Sequence, residues 1–224
     1  MIYLTGKRKR TVKLQNRGAI IMRDEKKNDK VTAIYKAVQE LVEEGADFRT
    51  LRVSDVSAKA GIGKGTTYEY FSSKEEMIVK AVSYSSYIMV THILAEMKKE
   101  TSFKGKFMIM LKELEEKIKQ RACIFRYLNM ISEEGVYKEL CAELINDVEA
   151  KNSHPMRVIS YLVDEGIKEG VLGNSFSKNY MEVSVFSKII AFSMYTDTNL
   201  SGENCRIEEM KQQLYLGICR ELGA

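Results

Sequence analysis

The chain has 224 residues with a single Pro, no Trp and a net charge of +4. That length carries one or two domains with a full core, and the lack of alternating β-branched runs excludes a sheet protein and points to an all-α fold. No apolar run reaches the length needed to cross a bilayer, and residues 18–22 are too short an apolar stretch for a signal peptide, so the expected setting is the cytoplasm, with no membrane partner.

Charge is unevenly placed. Residues 1–80 hold 17 Lys and Arg against 11 Asp and Glu, a net of +6, and the remainder nets −2. A basic N-terminal third on a slightly acidic body fits a nucleic-acid-binding head joined to a part with another task. Cys123, Cys141, Cys205 and Cys219 are widely spread and never form CxxC, which reads as buried free thiols in a reducing compartment. With only His92 and His154 beside them, no metal site is expected. Nucleophile-elbow, HExxH and Walker motifs are all missing, so no enzyme and no cofactor are expected. Glu115–Glu116 and Glu133–Glu134 read as solvated faces.

In chain order, residues 1–22 come first, with Lys7, Arg8, Lys9, Arg10, Lys13 and Arg17 and no acid. This is expected to be a disordered basic arm, suited to a minor groove; a translation start at Met22 stays open. From Asp24 to Glu44, Val31, Ile34, Tyr35, Val38, Leu41 and Val42 make an amphipathic helix, stopped by Gly45. Phe48 and Leu51 plug its base.

Val53, Val56 and Ala60 stripe a short second helix, and Gly61 follows where a helix stop needs positive φ. Gly63 then opens a third helix carrying Lys64, Gly65, Thr66, Thr67, Tyr68, Glu69, Tyr70 and Phe71. A cation, hydroxyls and phenols on its outer face suit phosphate oxygens and base edges. Ser73 and Glu76 form an S-x-x-E capping box for a long fourth helix through Met77, Ile78, Ala81, Tyr84, Ile88 and Ala95.

The stretch AGIGKGTTYEYFSSKEEM resembles the signature of the tetracycline-repressor (TetR) family, and the match runs over residues 30–81. Three positions depart from it: Arg52 stands where a hydroxyl caps the first hairpin helix, Ser57 replaces an Ala, and Gly63 replaces a capping Ser. Thr50 is a substitute cap by a shifted helix start, unless Arg52 meets phosphate directly. The resemblance implies a three-helix helix-turn-helix head (23–75) and a helical effector-binding and dimerisation body (76–224). It places Lys64, Gly65 and Tyr68 against base edges, and Thr66, Tyr70 and Lys74 against phosphates. Thr67 and Ser54, on the supporting helix, complete the expected DNA-binding set. Phe71 reads as core.

In the body, Phe103, Phe107, Met110, Leu111, Leu114 and Ile118 stripe one helix. Two more are expected over Phe125–Ile131 and Tyr137–Val148, and another from Pro155 to Gly170. Met89, Phe107, Met110, Phe125, Tyr127, Met130, Tyr161 and Phe186 are candidates for an effector cavity that takes an apolar or aromatic ligand. The helix from Lys178 to Tyr195 is apolar nearly all round, which calls for a second chain as cover. The last helix carries a seam of Ile207, Met210, Leu214, Ile218 and Leu222. The resemblance implies that these two helices pair with their copies, with Val183, Phe186, Ile190, Met194, Met210, Leu214 and Ile218 at the interface.

The function expected on these grounds is a homodimeric, ligand-responsive transcriptional repressor on a near-palindromic operator of double-stranded DNA. Two other readings stand beside it: a DNA-organising protein that needs no effector, and a small-molecule-binding body with a vestigial head.

Overall fold

The computed structural model describes residues 29–48, 50–119, 154–198 and 204–223, with backbone only at positions 204 and 205. The basic arm, the two helices expected between Phe125 and Val148, and with them the cavity candidates Phe125, Tyr127 and Met130, lie outside the described residues. Among the described residues there are eight helices and no strand: α1 (Asp29–Glu43), α2 (Val53–Lys59), α3 (Lys64–Tyr70), α4 (Lys74–Met97), α5 (Phe103–Lys119), α6 (Met156–Glu169), α7 (Lys178–Thr198) and α8 (Asn204–Leu222).

Two hydrophobic clusters form. The first gathers Ile34, Tyr35 and Val38 of α1 with Phe48, Leu51, Val56 and Phe71, and is completed by Met77, Ile78, Ala81 and Val82 from the first half of α4. The second takes Val90, Ile93 and Met97 from the other half of α4. It joins them to Phe103, Phe107 and Leu111 of α5, Leu162 and Val163 of α6, Val185 and Phe192 of α7, and Ile207, Ile218 and Leu222 of α8. Head and body are thus built on one continuous helix. Residues 83–89 of α4, between its two anchored halves, include no fully buried residue.

α4 also corrects an expectation. At 24 residues, with a mean hydropathy of 1.3 over its most apolar 18-residue window, it has the length and composition of a membrane span. Met77, Ile78, Val79, Ala81 and Val82 go into one core and Val90, Ile93 and Met97 into the other, while Ile88 stays exposed.

The local stops match their residues. Gly45 ends α1 at φ 101°, and Gly170 ends α6 in the left-handed region at φ 76°. Ser73 caps α4 by accepting from the Glu76 amide at 3.0 Å, but the reciprocal half of the box is displaced by one residue. The Glu76 carboxylate takes the amide and hydroxyl of Ser72, at 2.7 and 2.6 Å, and pairs with Lys80 at 3.0 Å. Burial pushes this carboxyl up, but the bonds from Ser72 and Lys80 outweigh it and hold it below the usual range.

The body buries charges in pairs. Lys106 meets Glu165 at 3.0 Å. Glu115 is buried and engaged by both Lys211 of α8 and Lys119, the latter at 2.6 Å. Glu115 is therefore not the solvated residue expected from its sequence neighbourhood: the turn of α5 that carries Leu111 and Leu114 inward carries Glu115 with them, against α8. Glu116, one residue on, is exposed.

Candidate nucleic-acid interface

α2 and α3 form the hairpin from very little sequence. α2 runs seven residues and ends at Gly61, whose φ of 67° turns the chain. Ile62 donates its amide back to the Ser57 carbonyl at 2.9 Å, and Gly63 (φ −64°, ψ 139°) starts α3. Lys59 fixes α2 to α1 through Glu44 at 2.5 Å and Glu40 at 3.6 Å. The hydrogen bond that Lys59 donates to Glu44 is the largest influence raising its pKa.

Between α2 and α3 lies a hydroxyl pair. Ser57 Oγ and Thr67 Oγ1 are 2.8 Å apart and buried. Ser57 also reaches the Val53 carbonyl at 2.6 Å, and Thr67 the Gly63 carbonyl at 3.5 Å. Thr67 is 1% exposed, so it is withdrawn from the DNA-binding set. Its position on α3, one residue before the exposed Tyr68, turns it onto α2. The same contact accounts for Ser57: the hydroxyl that replaces a methyl has a buried partner across the turn.

The remaining expected residues divide. Lys64, Gly65 and Tyr68 are exposed, Tyr68 at 50%. A Cβ on Gly65 would meet nothing within 4 Å, so its bareness is not required by packing inside the chain. Thr66 is half-buried. Tyr70 packs partly against the head core rather than standing free. Phe71 is buried, as expected of a core residue. Ser54 is exposed and donates to Asp55 Oδ1 at 3.3 Å.

Arg52 holds the N-cap position of α2 in extended backbone without a side-chain cap bond. Thr50 does not replace it: its hydroxyl donates to the Asp47 carbonyl at 3.1 Å and the helix start is unshifted. A recess of about 570 Å³ opens where these elements meet, lined by Thr50, Leu51, Arg52, Val53, Ser54, Lys64, Tyr68 and Lys74. Three cations, two alcohol hydroxyls and a phenol line it from α2, α3, α4 and the preceding loop, and no carboxylate is among its described lining residues. Arg52 is the residue that sequence reasoning left outside the site set. Its signal was its mismatch with the capping role.

α7 presents three stripes. Met181, Val185, Ile189 and Phe192 face the core. Ser184 and Lys188 face α8, where Ser184 donates to Glu221 at 2.7 Å and Lys188 forms an ion pair with it. The third stripe holds Val183 (62% exposed), Phe186, Ile190 and Met194 (64%), and faces outward. The expected interface residues on α7 are thus uncovered in the chain. On α8, Met210 and Leu214 are half-buried. Ile218 is fully buried, because the α8 seam turns inward against α5 and α7; Leu216, at 49%, is the apolar residue exposed there. Ile218 is removed from the interface on this ground. The cavity candidates scatter: Phe107 and Met110 are packed in the core, Tyr161 lies at its edge, Met89 sits at the head–body junction, and the outward-facing Phe186 does not line an interior.

Residues 34–81 match the family profile of bacterial regulatory proteins of the tetR family. That segment is therefore similar to tetR-family regulators. No curated protein matches the chain. Solved structures match over nearly their whole length at low identity. The fatty acid degradation regulator FadR of Bacillus halodurans superposes with a TM-score of 0.65 at 15% identity, covering 82% of this chain and 96% of that one. FadR of Bacillus subtilis in complex with stearoyl-CoA gives 0.61 at 15%, over 84% and 95%. A TetR transcription regulator of Haloarcula marismortui gives 0.64 at 16%, over 87% and 98%. The likeness in fold to these solved structures therefore extends beyond the head into the body.

Proposed function

We propose that the protein is a homodimeric, ligand-responsive transcriptional regulator, a repressor that leaves a near-palindromic operator when a small effector binds its body. The observation that carries this reading is the recess around α3. Lys64 and Tyr68 stand exposed on the outer face of α3, while Arg52 and Lys74 flank it from the ends of two other helices.

Such an arrangement separates two tasks. Lys64 donates to guanine O6 and N7, and Tyr68 packs on base edges, in the major groove. Arg52, Lys74, Ser54 and Thr66 hold phosphates and set register without reading sequence. One seven-residue helix reads few base pairs, so a second copy is needed. The outward stripe Val183, Phe186, Ile190 and Met194 supplies the contact, and Leu216 with the half-buried Met210 and Leu214 extends it. Residues 23–75 serve as the DNA-binding head and 76–224 as the effector and dimer body. The two heads then lie about one DNA turn apart or slightly more.

An effector held in the body favours a form in which α4 carries the heads to another spacing. DNA affinity falls by the difference in effector affinity between the two forms. The stearoyl-CoA bound by the Bacillus subtilis neighbour supports an apolar-bodied ligand class.

The test is selection of operator DNA from a random pool, followed by anisotropy titration on the selected and scrambled duplexes. The reading requires a selected site with two-fold symmetry, bound at least about a thousand-fold tighter than scrambled DNA. No enrichment of any sequence would refute it.

A further inference from the structure

α3 is held by little apolar packing. Of its seven residues only Thr67 is fully buried, and that residue is polar. Tyr70 packs partly on the head core and Phe71 is buried just beyond the helix, so the C-terminal end is anchored. Toward the other end Lys64, Gly65 and Tyr68 are exposed. Apolar contact is non-directional, and a helix that buries so little of it can roll about its axis at small loss. A hydrogen bond is directional, and the one residue that α3 buries makes one across the turn.

That bond belongs to a chain with a defined sense. Each hydroxyl carries a single proton. Ser57 gives its own to the Val53 carbonyl at 2.6 Å, so Thr67 is the donor in the 2.8 Å contact between the two. The Gly63 carbonyl, at 3.5 Å, is the weaker alternative for Thr67. The chain therefore runs from Thr67 through Ser57 to the backbone of Val53, the first residue of α2. Val53 lies between Arg52 and Ser54, and all three line the recess together with Lys64, Tyr68 and Lys74. A buried relay thus ties the lysine and phenol of α3 to the corner that carries the arginine.

We propose that Ser57 and Thr67 are positioning residues that determine sequence specificity. Their hydroxyl pair fixes the roll of α3 against the Arg52–Ser54 corner. With Arg52 and Lys74 on phosphates, Lys64 and Tyr68 then meet one set of base edges. Neither hydroxyl touches DNA. This rests on the reading of α3 as the helix that enters the major groove. Apolar side chains of like shape in place of the pair keep the fold and the phosphate contacts, and loosen the reading of bases.

The experiment uses the full chain and two variants. Ser57→Ala/Thr67→Val makes both partners apolar; Thr67→Ser keeps the hydroxyl and gives up the methyl. Anisotropy titrations on selected and scrambled duplexes read discrimination and salt slope. Hydrogen exchange at the Thr67–Phe71 amides of the free protein reads the hold on α3 without DNA. In the double variant operator affinity should fall about ten-fold, with scrambled-DNA affinity and salt slope unchanged. The same amides should exchange about ten-fold faster at a denaturant midpoint close to the native one. Thr67→Ser should discriminate as the native protein does, although loss of a buried methyl lowers its midpoint. Native discrimination in the double variant, equal weakening on both duplexes, or lost discrimination in Thr67→Ser overturns the proposal. Failure to select any operator refutes the regulator reading instead. The amides then decide alone: faster exchange in the double variant upholds the hold on α3, and unchanged exchange overturns it.

Discussion

α3 and α7 each show the solvent something a lone chain has no use for, and they do so with opposite chemistry. α3 exposes a lysine, a glycine and a phenol beside two further cations; α7 exposes a valine, a phenylalanine and a methionine in a stripe. The polar face costs little in water and is kept rigid from behind by the Ser57–Thr67 hydroxyl pair and the Lys59 ion pairs. The apolar face is unfavourable in water and is relieved by burial against a partner. The difference teaches that the two surfaces answer to different partners. The polar one suits a charged polymer that stays hydrated, and the apolar one suits protein.

The sharpest break is at α7. Met194→Glu places a charge in the stripe and should abolish dimerisation, read as a halved mass by sedimentation, while helicity stays intact. Operator affinity should then fall by about a hundred-fold or more, because one α3 alone is left to read the DNA. A dimer that survives the change would put the contact elsewhere.

Next is the buried charge that joins α5 to α8 behind the apolar face. Glu115→Gln should cost about 2–3 kcal/mol of unfolding free energy, the lower side of a broken buried pair, because Lys211 keeps Glu208 at 2.6 Å. The pH dependence has a defined sign. For Glu115, burial raises the pKa, but hydrogen bonds from Lys119 and Lys211 outweigh it; for Glu165 the bond from Lys106 dominates; both carboxyls lie below the ordinary glutamate value. Their stabilisation is fully present above that value and is lost as pH falls through the depressed folded values. Denaturant midpoints measured from pH 7 down to pH 3 should fall over this range, and less steeply in Glu115→Gln.

On the polar face, Lys64→Ala should cost about 1–3 kcal/mol on operator DNA and little on scrambled DNA. Arg52→Ala and Lys74→Ala should weaken both duplexes alike and reduce the salt slope by about 0.9 each. Anisotropy titrations at several salt concentrations separate the two groups. Equal losses for Lys64→Ala on both duplexes would remove its reading role.

The smallest effect lies beneath that face. Thr67→Val leaves the Ser57 hydroxyl with the Val53 carbonyl alone and should cost about 1 kcal/mol. Adding Ser57→Ala should return much of it, since both partners are then apolar. If the single and double variants are equally unstable, the hydroxyl pair contributes nothing.

Most of the fold was legible because helix stops and apolar spacing are local. Gly61 takes the positive φ its position suggested, Gly45 and Gly170 end their helices as read, and the stripes of α1 and α5 face the cores as their periods imply. The recognition of Lys64, Gly65 and Tyr68 as an outer face was legible for the same reason. What failed depended on a second element. Thr67 is equally polar by type, and only the neighbouring α2 decides that it points inward. Ile218 and Glu115 read as interface and solvent until α5 and α8 are laid together. Arg52 looked like a lost cap, and its company with Lys64 and Lys74 follows from the fold of the hairpin onto α4.

The account stands on two copies of α3 held at a fixed separation by the α7 stripe. Its most direct test is the stoichiometry of the full chain on its selected operator, measured by sedimentation with labelled duplex at protein concentrations around the binding midpoint. Two chains per duplex for the native protein, with cooperative pairing lost in Met194→Glu, is the predicted result. One chain per duplex at full affinity, unaffected by Met194→Glu, would contradict it.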